Sequence, residues 1–220
     1  MSLKRKQAII FILLILGLFL SGCVEPRKYQ VQVTGYNPPG AVVLPPPPAV
    51  FCVITNREAK DPDLEKEFKA KIEKLLDLKG YVITAFAQAD YYLVFAYGQG
   101  QGGAVPVPMP VYGPRPYPYG GGYYRPYGFA PPPDYYPPRV QQLYDRWLVV
   151  NVIEGPRYRD KGEFQRIWQG EARSAGYSPN LRATINFLLV TLFEDFGKST
   201  GRGRVVEVSE EDFRAQELWR

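Results

Sequence analysis

The sequence predicts a two-layer α/β sandwich: a mixed sheet of about five or six strands with two helices packed on one face. Three observations predict it. Two segments repeat apolar residues at helical spacing. The segments around them read as short apolar strands. Each helix carries a single apolar stripe, which must be buried, and a sheet face is the surface the rest of the chain offers.

The first strand is expected at Ala49–Thr55, an unbroken apolar run. Asp61-Pro62 then supplies a helix start, aspartate capping and proline in the first turn. Leu64, Phe68, Ile72, Leu75 and Leu76 form one apolar face, and Gly80 stops the helix. Short strands follow at 81–84 and 89–97. A strand over 140–154 is densest in "RWLVVNVIE", and a turn at Gly155-Pro156 leads to another in "EFQRIWQGEA". Strict alternation there puts Phe164, Trp168 and Ala172 on one face and Ile167 on the other. Ser178-Pro179 opens the second helix, whose stripe is Leu181, Ile185, Leu188, Leu189, Leu192, Phe193 and Phe196; Gly197 ends it. An edge strand at 205–208 and a short terminal helix capped by Ser209 complete the order.

The two ends of this domain differ in kind. Lys4, Arg5 and Lys6 precede an apolar run from Ala8 to Leu20, the basic and apolar regions of a secretory signal. The run is short of the roughly 20 residues a membrane span takes. It ends in Leu20-Ser21-Gly22-Cys23, which resembles the lipobox of bacterial lipoprotein precursors. The resemblance implies removal of residues 1–22 and acylation of Cys23, palmitate being one such chain. Residues 23–48 then read as the lipidated cysteine and a Pro-rich tether, since the run Pro45–Pro48 favours extended, semi-rigid backbone. Residues 49–208 are expected to be one α/β domain, and 209–220 a short helix or tail.

Loss of the three basic signal residues lowers the net charge from +5 to +2. No concentrated basic face is visible, which excludes a nucleic-acid partner. With Cys23 acylated, Cys52 has no partner for a disulfide and reads as a buried, inert thiol.

Residues 98–139 form a Gly/Pro/Tyr-rich insertion, with 9 Gly, 12 Pro and 8 Tyr in 42 residues. Such a composition does not offset its own ordering entropy and is expected to be disordered. Its tyrosines Tyr117, Tyr119, Tyr123, Tyr124 and Tyr127, with Arg115 and Arg125, are the candidate contacts to a glycan or protein partner, because tyrosine offers area and a hydroxyl at low entropic cost.

A further resemblance rests on the ordered features "KGY", "ADYYLVFAYG", the Gly/Tyr-rich loop, "LVVNVIE", "IWQGEA" and "LLVTLFEDF". Together with the lipobox, these resemble a family of bacterial lipoproteins with a domain of unknown function. Its marks are an Ala-Asp before an apolar strand, here Ala89-Asp90, and a Trp-x-Gly in a late strand, here Trp168-Gln169-Gly170. The resemblance brings no catalytic residues and no cofactor.

The chain has no histidine, which excludes Ser-His-Asp and Cys-His catalysis and imidazole-based zinc sites. Gly98, Gly100 and Gly103 match G-x-G-x-x-G, but the prolines that follow forbid the helix a dinucleotide site requires. Gly197-Lys198-Ser199-Thr200 follows a helix instead of opening one and reads as its cap. Glu194, Asp195, Glu210, Glu211 and Asp212 are expected to be structural charges. Trp147 and Trp168 are each either half-buried core or an exposed platform for a sugar ring. The expectation for function is a lipid-anchored envelope protein, at the periplasmic face of the outer membrane in a Gram-negative cell. It acts as a non-catalytic binding or structural module, with peptidoglycan or an envelope protein as partner. The alternatives are an accessory subunit of an envelope transporter or cell-wall synthase, and a carboxylate-based glycan hydrolase.

Overall fold

The computed structural model of the chain describes residues 26–106 and 140–219. They form one open, mixed, seven-stranded sheet in the order β3-β2-β4-β5-β6-β1-β7. The strands are β1 (Lys28–Tyr36), β2 (Val50–Ile54), β3 (Val82–Ile83), β4 (Tyr91–Pro106), β5 (Val140–Glu154), β6 (Arg166–Gly176) and β7 (Arg204–Ser209). The helices are α1 (Pro62–Leu78), α2 (Gly155–Lys161), α3 (Leu181–Glu194) and α4 (Phe213–Glu217). Only β2 runs parallel to its neighbours, β3 and β4; every other pairing is antiparallel. The α/β class holds, with a wider sheet and more helices than expected.

Both long helices begin where the sequence says they can. Asp61 accepts a hydrogen bond from the Leu64 amide at 3.0 Å, and Pro62 sits in the first turn, where its missing N–H costs nothing. The second long helix starts two residues later than expected. Asn180, not Ser178, is its cap, accepting from the Ala183 amide at 3.1 Å. Phe68, Ile72 and Leu76 of α1 and Ile185, Leu188 and Leu192 of α3 are buried in one core with Val31, Phe51, Leu93, Leu148, Val150 and Trp168 of the sheet.

Four differences from the sequence reading have plain causes. Residues 28–36, expected to be tether, are instead β1, lying between β6 and β7. In "KYQVQVTGY" Val31 and Val33 alternate with polar residues and are fully buried, so the period of two outweighs the nearby prolines. The insertion does not begin at Gly98. β4 continues to Pro106 because β5, starting at Val140, pairs with it the whole way, with one register shift between Gln101 and Ala104. Gly155-Pro156 opens α2, which Gly162 closes at φ 69°. Finally, α4 is capped by Asp212, which accepts from the Arg214 amide at 2.9 Å, and not by Ser209.

A register shift between Val152 and Ile153 also breaks the expected alternation of β6. Ile167 and Trp168 are therefore buried in the same core, while Phe164 lies outside the strand and is exposed.

The opposite face of the sheet is covered at one end only. Cys52, Tyr92 and Ile153 point away from α1 and α3 and are packed with Ala89 and Tyr158 of α2. Burial raises the Cys52 thiol above its ordinary pKa, the behaviour of an unreactive core thiol. Among the described residues, no helix lies over the rest of this face, across β5, β6, β1 and β7.

Candidate functional site

The bare sheet face carries a row of side chains drawn from five strands. Gly98 of β4 stands opposite Trp147 of β5, and Trp147 opposite Arg173 of β6. Arg173 is paired with Gln32 of β1, and Gln32 with Val205 of β7. At about 4.8 Å per strand the row is roughly 19 Å wide. The four side chains of the row point away from the helices, because the strand neighbours Leu148, Ala172 and Val33 are buried in the core and successive residues alternate.

Around this row lies a groove of about 400 Å³, lined by Gln30, Gln32, Asp145, Trp147, Arg173 and Val205. Ala175, Arg146 and Ser174 complete its lining. Trp147 is 36% exposed, against 0% for Trp168. Its indole lies over Gly98: a Cβ built there would come within 2.4 Å of the ring. Glycine thus gives the ring a flat bed on the neighbouring strand. Arg173 is paired with Glu171 on the same strand. Gln30, Gln32 and Asp145 make no side-chain hydrogen bond to another described residue and face solvent.

On the helix side, Arg146 is buried beneath this groove. Its Nη2 donates to the Ser178 carbonyl, and burial lowers its pKa from the ordinary arginine value. Its Nε and Nη1, and the hydroxyl of Ser174 opposite it, make no hydrogen bond to another described residue.

The family marks have structural work. Trp168 lies over Gly170, where a Cβ would meet the indole at 2.2 Å and Leu192 at 2.8 Å, so the Trp-x-Gly spacing makes room for a core tryptophan. Its Nε1 donates to the Lys198 carbonyl at 3.0 Å, which fixes the loop after α3. That loop crosses β1 at Gly35, where a Cβ would stand 2.3 Å from the Lys198 oxygen. Asp90 acts through its backbone: its carbonyl accepts from the Gly155 amide at 2.7 Å, and its amide donates to Val50. Ala89 is buried beside Tyr92.

Three of the five acidic residues expected to be structural, Glu194, Asp195 and Asp212, are spent on ion pairs. Arg204 bridges Glu194 and Asp195 at 2.9 and 2.6 Å. Arg214 joins Glu194 to Asp212, the latter at 2.7 Å. This network ties β7 and α4 to the end of α3, and it holds the Asp212 carboxyl below its ordinary pKa. Gly98, Gly100 and Gly103 lie in strand β4, so the dinucleotide fingerprint has no helix to open.

Cys23 and the predicted contact residues Arg115, Tyr117, Tyr119, Tyr123, Tyr124, Arg125 and Tyr127 lie outside the described residues. Sequence reasoning raised Trp147 as a platform but missed its companions. The alternation of Gln30 and Gln32 with valine in 30–33 was the available signal.

No curated protein matches the chain. Among solved structures it is similar to PelC dodecamers from Paraburkholderia phytofirmans. Two such structures are each 13% identical, at TM-scores of 0.42 and 0.41, covering 76% and 77% of this chain and 98% of theirs. It is also similar to a PDZ domain protein from Parabacteroides distasonis, 13% identical at a TM-score of 0.41, over 84% of this chain and 40% of that one. The family model described as a domain of unknown function (DUF4136) matches residues 31–196, from β1 through the end of α3. The chain belongs to that family.

Proposed function

We propose that the protein is a lipid-anchored cell-envelope module that binds a partner without catalysing a reaction. The observation that carries the binding half is the bare sheet face, where a half-exposed indole and uncommitted polar side chains share one groove. An indole that is polar at one edge and apolar on its face suits a contact surface, and here it stands beside side chains that make no hydrogen bond to another described residue. The anchoring half is supported by Leu20-Ser21-Gly22-Cys23 after a basic and apolar start. Two or more acyl chains on Cys23 would supply the stable hold that one chain does not. The absence of aspartate at Val24 favours the outer membrane in a Gram-negative cell. The tyrosines and arginines of residues 115–127 add a second contact surface for peptidoglycan or an envelope protein.

Metabolic labelling with a fatty acid, followed by membrane fractionation, tests the reading. Wild type is expected to carry label and pellet with membranes; Cys23→Ala is expected to carry none and to appear in the soluble fraction. Equal fractionation of the two would overturn the anchor. Replacement of residues 107–139 by Asn-Gly, a two-residue turn that can join the paired ends Pro106 and Val140, is expected to weaken retention on isolated envelopes if the tyrosines are contacts.

A further inference from the structure

The groove on the bare face has a chemistry specific enough to name its ligand class, and the inference rests on the binding reading above. We propose that it holds a neutral saccharide, a pyranose ring stacked on Trp147 with its hydroxyls on Gln30, Gln32, Asp145 and Arg173.

Charge excludes the other classes first. Asp145 and Arg173 bring opposite signs to one groove, and Arg173 is further offset by Glu171. A polyanion such as nucleic acid would meet the Asp145 carboxylate, and a polycation would meet the Arg173 guanidinium. The remaining polar groups, Gln30 and Gln32, are uncharged amides that both donate and accept. Sugar hydroxyls also donate and accept, so amides, a carboxylate and a guanidinium around one ring match them without a net charge.

Trp147 supplies the second half of the match. Pyranoses with equatorial hydroxyls expose a face of axial C–H bonds that is apolar. Such a face stacks on an aromatic ring through dispersion and weak C–H contacts. The ring must be held open and steady for this. Gly98 does so from below, since any side chain there would collide with the indole. Arg173 of β6 and Gln32 of β1 stand in register with Trp147, while Gln30 lies two residues along β1 and Asp145 two residues along β5, so the four surround the rim of a ring stacked on it. A sheet fixes these positions more tightly than a loop, which lowers the ordering cost of binding. A groove of about 400 Å³ lies within the usual range for small-ligand sites.

The test uses the full-length protein in detergent micelles and titrates neutral β-linked gluco-oligosaccharides, with acidic oligosaccharides and short peptides as comparison probes. Intrinsic tryptophan emission and calorimetry are the readouts. Wild type is expected to bind the neutral sugars with a blue shift of emission. Trp147→Ala is expected to lose at least tenfold in affinity, Trp147→Phe to lose about threefold, and Gln32→Ala to lose several-fold, all with unchanged thermal unfolding. Gly98→Val, which displaces the indole, is expected to mimic Trp147→Ala. Binding of the peptides or acidic sugars in place of the neutral ones would overturn the saccharide assignment, as would a Trp147→Ala variant that binds like wild type. Peptide or acidic-sugar binding that is lost in Trp147→Ala would overturn the sugar and leave the partner-binding reading standing, whereas a Trp147→Ala variant that binds like wild type would remove the groove from both; the anchor fails separately if Cys23→Ala keeps its label and its membrane.

Discussion

Two tryptophans on adjacent strands of this sheet use the same device to opposite ends. Trp168 lies over Gly170 on the helix-covered face and is fully buried; Trp147 lies over Gly98 on the bare face and is more than a third exposed. In both places a glycine leaves a shelf that only a flat ring fills. On the covered side the shelf deepens the core, where Phe196 packs edge-on against Trp168 at 5.0 Å between ring centres. On the bare side nothing from the described chain closes over it. The difference teaches that the ring-on-glycine arrangement is a packing motif in itself, and that the layer above decides whether it stabilises the fold or presents a surface.

The sharpest way to break the comparison is to delete each ring. Trp168→Ala removes a fully buried indole and its hydrogen bond to Lys198, and is expected to cost about 3–5 kcal/mol in chemical denaturation. Next comes the loop that Trp168 holds. Gly35→Ala drives a methyl into the Lys198 carbonyl, a backbone atom with little room to yield, and is expected to cost about 1–3 kcal/mol. Acid has a smaller, local effect. Asp212 has a folded pKa below its ordinary value of 3.8, chiefly through its hydrogen bond to Arg214. Its contribution is fully present above that value and is lost as pH falls through the depressed one. Amide exchange in α4 is therefore expected to rise below about pH 4 before the sheet responds, and Arg214→Ala is expected to weaken that pH dependence while leaving the part that the backbone amides of Arg214 and Ala215 supply. The smallest effect on folding is Trp147→Ala, expected within about 0.5 kcal/mol of wild type. A larger loss would mean that the indole on Gly98 belongs to the core after all.

The long helices were legible because their signal is local. Leu64 through Leu76 and Leu181 through Phe196 repeat at helical spacing within one segment, and caps and stops sit beside them. β1 was not legible, because two valines among glutamines make a faint pattern beside a run of prolines. The second core helix was placed well but entered two residues early, since Ser178-Pro179 imitates a start that Asn180 in fact makes. The faces of the two tryptophans were beyond the sequence for a different reason. Which side Trp168 takes depends on a register shift opposite Val152 and Ile153, and a one-residue slip turns every side chain over. The candidate groove was hidden by the same non-locality: Gln32, Gly98, Trp147, Arg173 and Val205 become neighbours only once five strands are in register.

The early start of the sheet changes how near the fold stands to a bilayer. Between Cys23 and the first residue of β1 the sequence has four residues, Val24 to Arg27, a reach of about 17 Å at full extension. An acylated Cys23 would leash the domain almost flush with the headgroups. Gln30 and Gln32 sit on that same first strand, so the groove they line would stand only a few residues along the chain from the anchor.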